Sequence, residues 1–330
     1  MRLCWAGYRE VSRGGNALGY MGASTALFQA LKADDRVTLD DDAPVAIHFC
    51  TPGQFDSIRG KRNVLFTMIE STDVPVVYSE AFLRSDAVLC PSLFCHRVFA
   101  PHLRGRQCRV VPLGFSADVW RYVPRSFDPE HEQFRFLWCG APNSRKGWEP
   151  VAKAWELGGY ADNDLFSLTM KTTSDFDDPE HQIVKRTGNL TFDSRRLPID
   201  ELRSLFEDAH CLIAPSQGEG FGLIMLEAMA SGLPVITVRH SAPPEFLRGD
   251  AYYAKHEIHS TPAIDGTSMV GAWAIPWDVA RNMARVAKRS PVAVRRALRA
   301  SKRAHQEWTW EKSVDRLLVE VEALVGSEAA

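Results

Sequence analysis

The sequence predicts an α/β protein of two domains, each built on a parallel sheet with helices over both faces. Three observations predict it. A chain of 330 residues is too long for one ordinary core and suits two of moderate size. Short apolar runs alternate with helix-length segments in two successive series, the pattern of strands buried on both faces. Between the series lies VPLGFSADVWRYVPRSFDP, broken by Pro112, Pro124 and Pro129 and without clear periodicity, which reads as a linker. The expected domains are therefore 1–122 and 123–330.

In the first domain, Arg2 to Ala6 reads as a buried strand. A loop with Gly7, Gly14, Gly15 and Gly19 leads to a helix near Gly22 to Leu31. Glycine lets backbone N–H groups approach an anion, so Gly14 and Gly15 are candidates for contact with a phosphate-bearing ligand. No Walker lysine follows and the spacing is not G-x-G-x-x-G, which leaves a plain strand-to-helix turn as an equal alternative. Strands follow at Val45 to Cys50, Asn63 to Met68, Ala87 to Cys90 and Arg109 to Val111, with helices at Pro75 to Arg84 and Leu93 to Phe99. The domain is Rossmann-like.

The second domain repeats that class. Strands are expected at Phe134 to Cys139, Phe166 to Lys171, Leu190 to Phe192, Cys211 to Ala214 and Pro234 to Val238. Helices fit at Glu149 to Leu157, Asp200 to Asp208 and Leu223 to Ala230, with Asp200 as a polar helix start after Pro198. From Arg281 to Arg303, nine basic residues interleave with alanine, valine and leucine at helical spacing. That run reads as a solvated face, with a nucleic-acid or acidic-acceptor patch as the lesser alternative. Val314, Leu317, Leu318, Val321 and Leu324 form one stripe of a final packing helix, Trp310 to Leu324.

Composition narrows the class of function. Apolar residues make up 45%, charged residues 24%, and the formal charge is -2. This is a globular mix with no strong nucleic-acid signal. Cys4, Cys50, Cys90, Cys95, Cys108, Cys139 and Cys211 are odd in number and lack zinc-knuckle spacing, so reduced thiols and no metal site are expected. The N-terminus is too short in apolar residues for a signal peptide, and no apolar run nears the roughly 18 residues of a membrane span. The expected location is cytoplasmic.

Chemistry concentrates in PSQGEGFGLIMLEAMASGLPVITV, Pro215 to Val238. Gly218, Gly220 and Gly222 sit where a strand's carboxyl end meets a helix start, the edge at which open α/β sheets bind ligands. The backbone N–H groups of Gly220, Phe221, Gly222 and Leu223, with the helix dipole, suit an anionic or hydroxyl-rich ligand. Glu219 and Glu227 are eight residues apart, roughly 12 Å if helical. Paired glycosidase carboxylates lie about 5 to 9.5 Å apart, so the longer step fits two ends of one ligand, as in a sugar nucleotide. Glu227 lies among Met225, Leu226, Ala228 and Met229, and a buried carboxylate needs a partner. A second strand-to-helix junction, Gly140 to Gly147, carries Arg145 and Lys146, which would neutralise a diphosphate leaving group.

GEGFGLIMLEAMASGLPVI resembles the glutamate, seven residues, glutamate motif of retaining GT-B glycosyltransferases of family 4. VPLGF, FLWCGAPNSRKGW, APSQGEGFG, PPEFL, WAIPW and WTWEKSVDRLL agree in order. The resemblance covers nearly all of the second domain and, more loosely, the first. It implies a GT-B fold of two Rossmann-like domains facing across a cleft, the first on the acceptor side. By resemblance, Glu219 faces the transferred sugar, Glu227 binds the ribose, Arg145 and Lys146 hold the diphosphate, and Gly220, Phe221 and Gly222 contact sugar or phosphate. A UDP- or GDP-linked sugar is the implied co-substrate, with no cofactor, no bound metal and front-face transfer. Ala141 stands where many members have arginine, which leaves the clamp to Arg145 and Lys146. Glu70, in TMIESTDVP, stands where many have histidine and is a catalytic candidate beside the donor sugar. His48 ends a neighbouring strand and reads as a packed residue. A sugar-nucleotide epimerase or a non-catalytic binding protein is the alternative. The acceptor stays open between glycan, lipid, protein and nucleobase, as do peripheral membrane contact and oligomeric state.

Overall fold

The computed structural model describes residues 1–9, 18–125, 133–172, 183–262, 268–288 and 291–326. It divides into two compact units: Met1–Gly114 with Thr261–Met269 and Trp308–Ala330, and Phe115–Ser260 with Val270–Glu307.

The first unit holds β1 (Arg2–Trp5), β2 (Thr38–Leu39), β3 (Val45–Phe49), β4 (Arg62–Phe66), β5 (Ala87–Cys90) and β6 (Gln107–Val110) in one sheet of order β2-β1-β3-β4-β5-β6. Every pair is parallel. β3 and β5 are buried along their whole length and β4 everywhere but Arg62, as a sheet covered on both faces requires. Phe49 and Phe66, paired in register, stack at 4.3 Å. The connecting helices are α1 (Leu18–Lys32), α2 (Val76–Arg84) and α3 (Leu93–Phe99). Ser92 caps α3 by accepting from the Cys95 N–H at 3.1 Å.

The second unit holds β7 (Phe134–Cys139), β8 (Phe166–Lys171), β9 (Val184–Thr187), β10 (Leu190–Asp193), β11 (Cys211–Ile213), β12 (Val235–Val238) and β13 (Tyr252–Ala254), in the order β13-β12-β11-β7-β8-β10-β9. All pairs are parallel except β9 on β10, at the edge. Its helices are α4 (Trp148–Leu157), α5 (Ile199–Asp208), α6 (Leu223–Ala230), α7 (Pro244–Leu247), α8 (Pro276–Ala287) and α9 (Pro291–Glu307). An aromatic core of Phe136, Trp138, Trp155 and Tyr160 joins β7 to α4. β14 (His256–Pro262) and β15 (Ser268–Ala274) form a separate two-stranded sheet.

Four expectations change. The last helix, α10 (Trp310–Gly326), lies in the first unit, where it packs on α1 and β6. A Cβ on Gly114 would come within 2.4 Å of the Thr309 backbone, so the returning chain needs glycine there. The linker belongs to the second unit from Phe115 onward, because Arg125 donates to the carbonyls of Ala209, Ser231 and Phe206 at 2.9, 2.5 and 2.7 Å. Asp200 does not cap α5, whose N-cap is Pro198; it sits in the first turn and complements the helix dipole. The basic run is two helices and turns partly inward: Arg303 donates to buried Asp250 at 2.6 Å, Arg299 to the same carboxylate, and Arg296 lies 4.9 Å from the Tyr252 ring. Among the described residues no helix is long and apolar enough to cross a membrane.

Candidate functional site

Three loops of the second unit meet at the carboxyl ends of β7, β11 and β12. The loop after β7 begins at Gly140 and makes a short helical turn over Ser144–Lys146 before α4. Gly147 ends the turn at φ 70, where a Cβ would come within 2.3 Å of the Pro215 carbonyl oxygen. Glycine therefore permits both the left-handed backbone and the close approach of this loop to the one after β11. Two hydrogen bonds from Gln217 seal the contact: its N–H donates to the Arg145 carbonyl at 2.7 Å, and its side chain donates to the Ser144 carbonyl at 2.8 Å.

This contact brings three predicted side chains together. Lys146 Nζ donates to Glu219 Oε1 at 2.6 Å, Arg145 Nη1 lies 3.5 Å from Glu219 Oε2, and the same Nη1 donates to the Gly218 carbonyl at 2.8 Å. Glu219 is 6% exposed. Burial pushes its carboxyl up, but Lys146 and Arg145, with hydrogen bonds from Lys146 and Ser216, outweigh burial and hold it at about 2. It is ionised at neutral pH. From the third loop, Ser241 Oγ accepts the Glu219 N–H at 3.0 Å while Ser241 sits at φ 56. A non-glycine residue there is strained, and such strain clusters at functional sites.

Glu227 occupies the second turn of α6. Gly222 starts the helix at φ 100, so the step from Glu219 is helical only from Leu223 onward. Burial raises the Glu227 carboxyl to about 8, against a hydrogen bond from Trp120 that lowers it. The Cys139 thiol, at the end of β7, is pushed up to about 12 by burial and feels Lys171, Glu227 and Lys146. Phe221 packs its ring 5.4 Å from Phe246, so its side chain serves the core. Lys171 is buried at the end of β8, donates to the Thr172 and Arg195 carbonyls, and lies 4.0 Å from Asp193.

Glu70 lies in the first unit, half-buried in the turn after β4. That turn is fixed by the hydroxyls of Tyr20 and Tyr78, which donate to the Met68 carbonyl at 2.5 and 2.8 Å. His48 is a packed residue, its Nε2 2.9 Å from Asn63 Oδ1 and its ring against Phe55. Gly14 and Gly15 lie outside the described residues. Trp120, Ser241 and Gln217 are site neighbours that sequence reasoning missed. The Pro-Pro after Ser241 could have flagged a tight turn; Trp120, in a linker without periodicity, gave no signal. A cavity of about 30 Å³ beside His210 and Pro234 sits at the opposite ends of β11 and β12 and is too small for a nucleotide.

Among solved structures, WaaG, a glycosyltransferase involved in lipopolysaccharide biosynthesis, is similar over 95% of this chain and 97% of its own, with TM-score 0.63 at 13% identity. The sucrose-phosphate synthase of Thermosynechococcus elongatus is similar over 86% of this chain and 74% of its own, with TM-score 0.59 at 16% identity. The chain has the GT-B fold. Within it, residues 133–260 match the family model described as "Glycosyl transferases group 1", the segment that contains Arg145, Lys146, Glu219 and Glu227. The MMP alpha-(1->4)-mannosyltransferase of Mycolicibacterium hassiacum is 32% identical over 90 residues, 27% of this chain and 22% of its own length. The sulfoquinovosyl transferase of Arabidopsis thaliana is 39% identical over 51 residues, 16% of this chain and 10% of its own. These aligned segments thus span less than a quarter of each curated relative.

Proposed function

We propose that this GT-B protein is a retaining glycosyltransferase that moves a sugar from a UDP- or GDP-linked donor to an acceptor hydroxyl or amide, without a bound metal. The observation that carries the reading is the Glu219 carboxylate held between Lys146 and Arg145 where strand ends meet helix starts. Two cations aimed at one buried point can neutralise the charge that develops on a departing diphosphate. Glu219, ionised at neutral pH, cannot serve there as a proton donor; it accepts hydrogen bonds from sugar hydroxyls and fixes the ring. Glu227 takes the ribose diol. In the transfer, the acceptor heteroatom bonds to the anomeric carbon, the anomeric carbon–oxygen bond to phosphate breaks, and the acceptor proton passes to the leaving phosphate oxygen on the same face. The family model over 133–260 supports the reaction class.

A panel of UDP- and GDP-linked sugars, screened by thermal stabilisation and then by donor turnover in EDTA with and without added Mg²⁺, tests the reading. It predicts stabilisation by one nucleotide series, turnover that survives EDTA, and loss of about 100-fold or more in turnover for Glu219→Ala. Stabilisation by no nucleotide sugar, a strict metal requirement, or unchanged turnover in Glu219→Ala contradicts it.

A further inference from the structure

The cationic turn of the site is gripped through its carbonyls. Gln217 Nε2 donates to the Ser144 carbonyl at 2.8 Å, the Gln217 backbone N–H to that of Arg145 at 2.7 Å, and Trp138 Nε1 to that of Lys146 at 3.1 Å. Consecutive carbonyls held in this way leave the turn one orientation, and Gln217 supplies the N–H groups for Ser144 and Arg145. Gln217 is 4% exposed and is itself held. Its carbonyl accepts the Ala272 N–H of β15 at 2.8 Å. That strand passes so close that a Cβ on Gly271 would come within 2.7 Å of the Gln217 carbonyl oxygen and 2.9 Å of the Gln217 Cβ. Ala272 and Ala274 are fully buried in the core that also holds Trp138 and Ile213, so the support behind Gln217 is rigid.

We infer that Gln217 is the positioning residue of the diphosphate site: braced by β15, it sets the turn from which Arg145 and Lys146 reach the terminal phosphate of a nucleoside diphosphate. The inference rests on the donor-site reading above. Gln217 stands two residues before Glu219 on the same loop, so one residue registers the cations against the carboxylate they meet. The result of that registration is the Lys146 Nζ bond to Glu219 Oε1 at 2.6 Å and the Arg145 Nη1 bond to the Gly218 carbonyl at 2.8 Å. An amide facing a carbonyl must present its nitrogen, and only a side chain of this length with a donor at its end makes the bond to Ser144. Methionine keeps the bulk and loses the donor. The turn would then be free to drift, and charge-assisted hydrogen bonds to phosphate weaken steeply with such drift. Contacts to the base and ribose do not pass through the turn, so the loss falls on the second phosphate.

Calorimetry of UDP, UMP, GDP and GMP into wild type, Gln217→Met, Arg145→Ala/Lys146→Ala and the triple variant tests the inference. Gln217→Met is expected to cut the preference for diphosphate over monophosphate about tenfold, to leave monophosphate affinity in place, and to have no further effect in the Arg145→Ala/Lys146→Ala background. Gly271→Ala, which presses on Gln217 from β15, should lower the same preference. An intact preference in folded Gln217→Met, or equal weakening of both nucleotides, overturns the positioning role while leaving the donor site standing. A wild type that binds no nucleotide, or binds mono- and diphosphate alike, overturns the donor reading beneath it. Hydrogen exchange in wild type gives a readout that needs no variant to fold. The Ala272 amide should exchange more slowly with the preferred diphosphate bound than with its monophosphate; an amide indifferent to the second phosphate contradicts the inference.

Discussion

Glu219, buried, and Glu227, half-buried, are acids of one loop-helix unit, yet their surroundings drive them apart. Lys146 and Arg145 overcome burial at Glu219, while one indole N–H does not overcome it at Glu227. The consequences for stability have opposite signs. Glu219 has a folded pKa below its usual 4.5, so its contribution is fully present above that value and is lost as pH falls toward about 2. Glu227 has a folded pKa above its usual 4.5, so the unfolded chain loses its proton first and stability falls as pH rises from there toward about 8. Glu227→Gln removes that penalty. The melting temperature of the variant should exceed that of wild type by about 3 °C or more at pH 8, and the difference should shrink toward pH 5. A difference that is flat across this range would mean the acid ionises freely in the folded protein.

The elements place these side chains through backbone contacts rather than through the side chains alone. Gly147 is the point where the loop after β7 touches the loop after β11. Alanine at 147 would have to adopt φ 70 and clear a carbonyl oxygen at 2.3 Å, at a cost of about 2 kcal/mol or more. Gly147→Ala should therefore lower the melting temperature and also weaken nucleotide diphosphate binding, read by calorimetry on the folded fraction, because the Lys146–Glu219 contact depends on that approach. A variant destabilised with unchanged nucleotide affinity would separate the loop contact from the site. Such contacts explain what the sequence could and could not disclose. Strands such as Phe134–Cys139 and helix Leu223–Ala230 were legible to the residue, since each is an apolar run interrupted by a single charged residue, Arg135 in one and Glu227 in the other. That Arg145 and Lys146 share a sheet edge with Glu219 was legible, both junctions falling at strand carboxyl ends; their ion pairs with the Glu219 carboxylate were not. Ser241 was not: it acts through a turn whose geometry follows from tertiary packing, and it lies on no periodic segment. Short edge strands such as β2 and β9, exposed over much of their length, carry too little apolar signal to stand out.

The whole chain is not divided where its sequence changes character. Two α/β series were expected to make two contiguous domains, but the first unit is completed by α10, whose Val314, Leu317, Val321 and Leu324 are buried. A helix stripe declares that it packs; it does not declare against which sheet. Ending the chain after Glu307 strips that cover from α1 and β6. Calorimetric unfolding of the shortened protein should lose or sharply lower the transition of the first unit while that of the second persists. Retention of both transitions would show that α10 contributes little to the first core. The GT-B fold, the family segment over 133–260 and the Glu219 cluster converge on one central claim, that the second unit grips a nucleoside diphosphate through Lys146 and Arg145. Titration calorimetry of UDP and GDP into wild type and an Arg145→Ala/Lys146→Ala variant tests it most directly. One-site binding of at least one nucleotide by wild type, weakened about 10- to 100-fold in the variant, is the predicted result; equal affinity in the two proteins would contradict it.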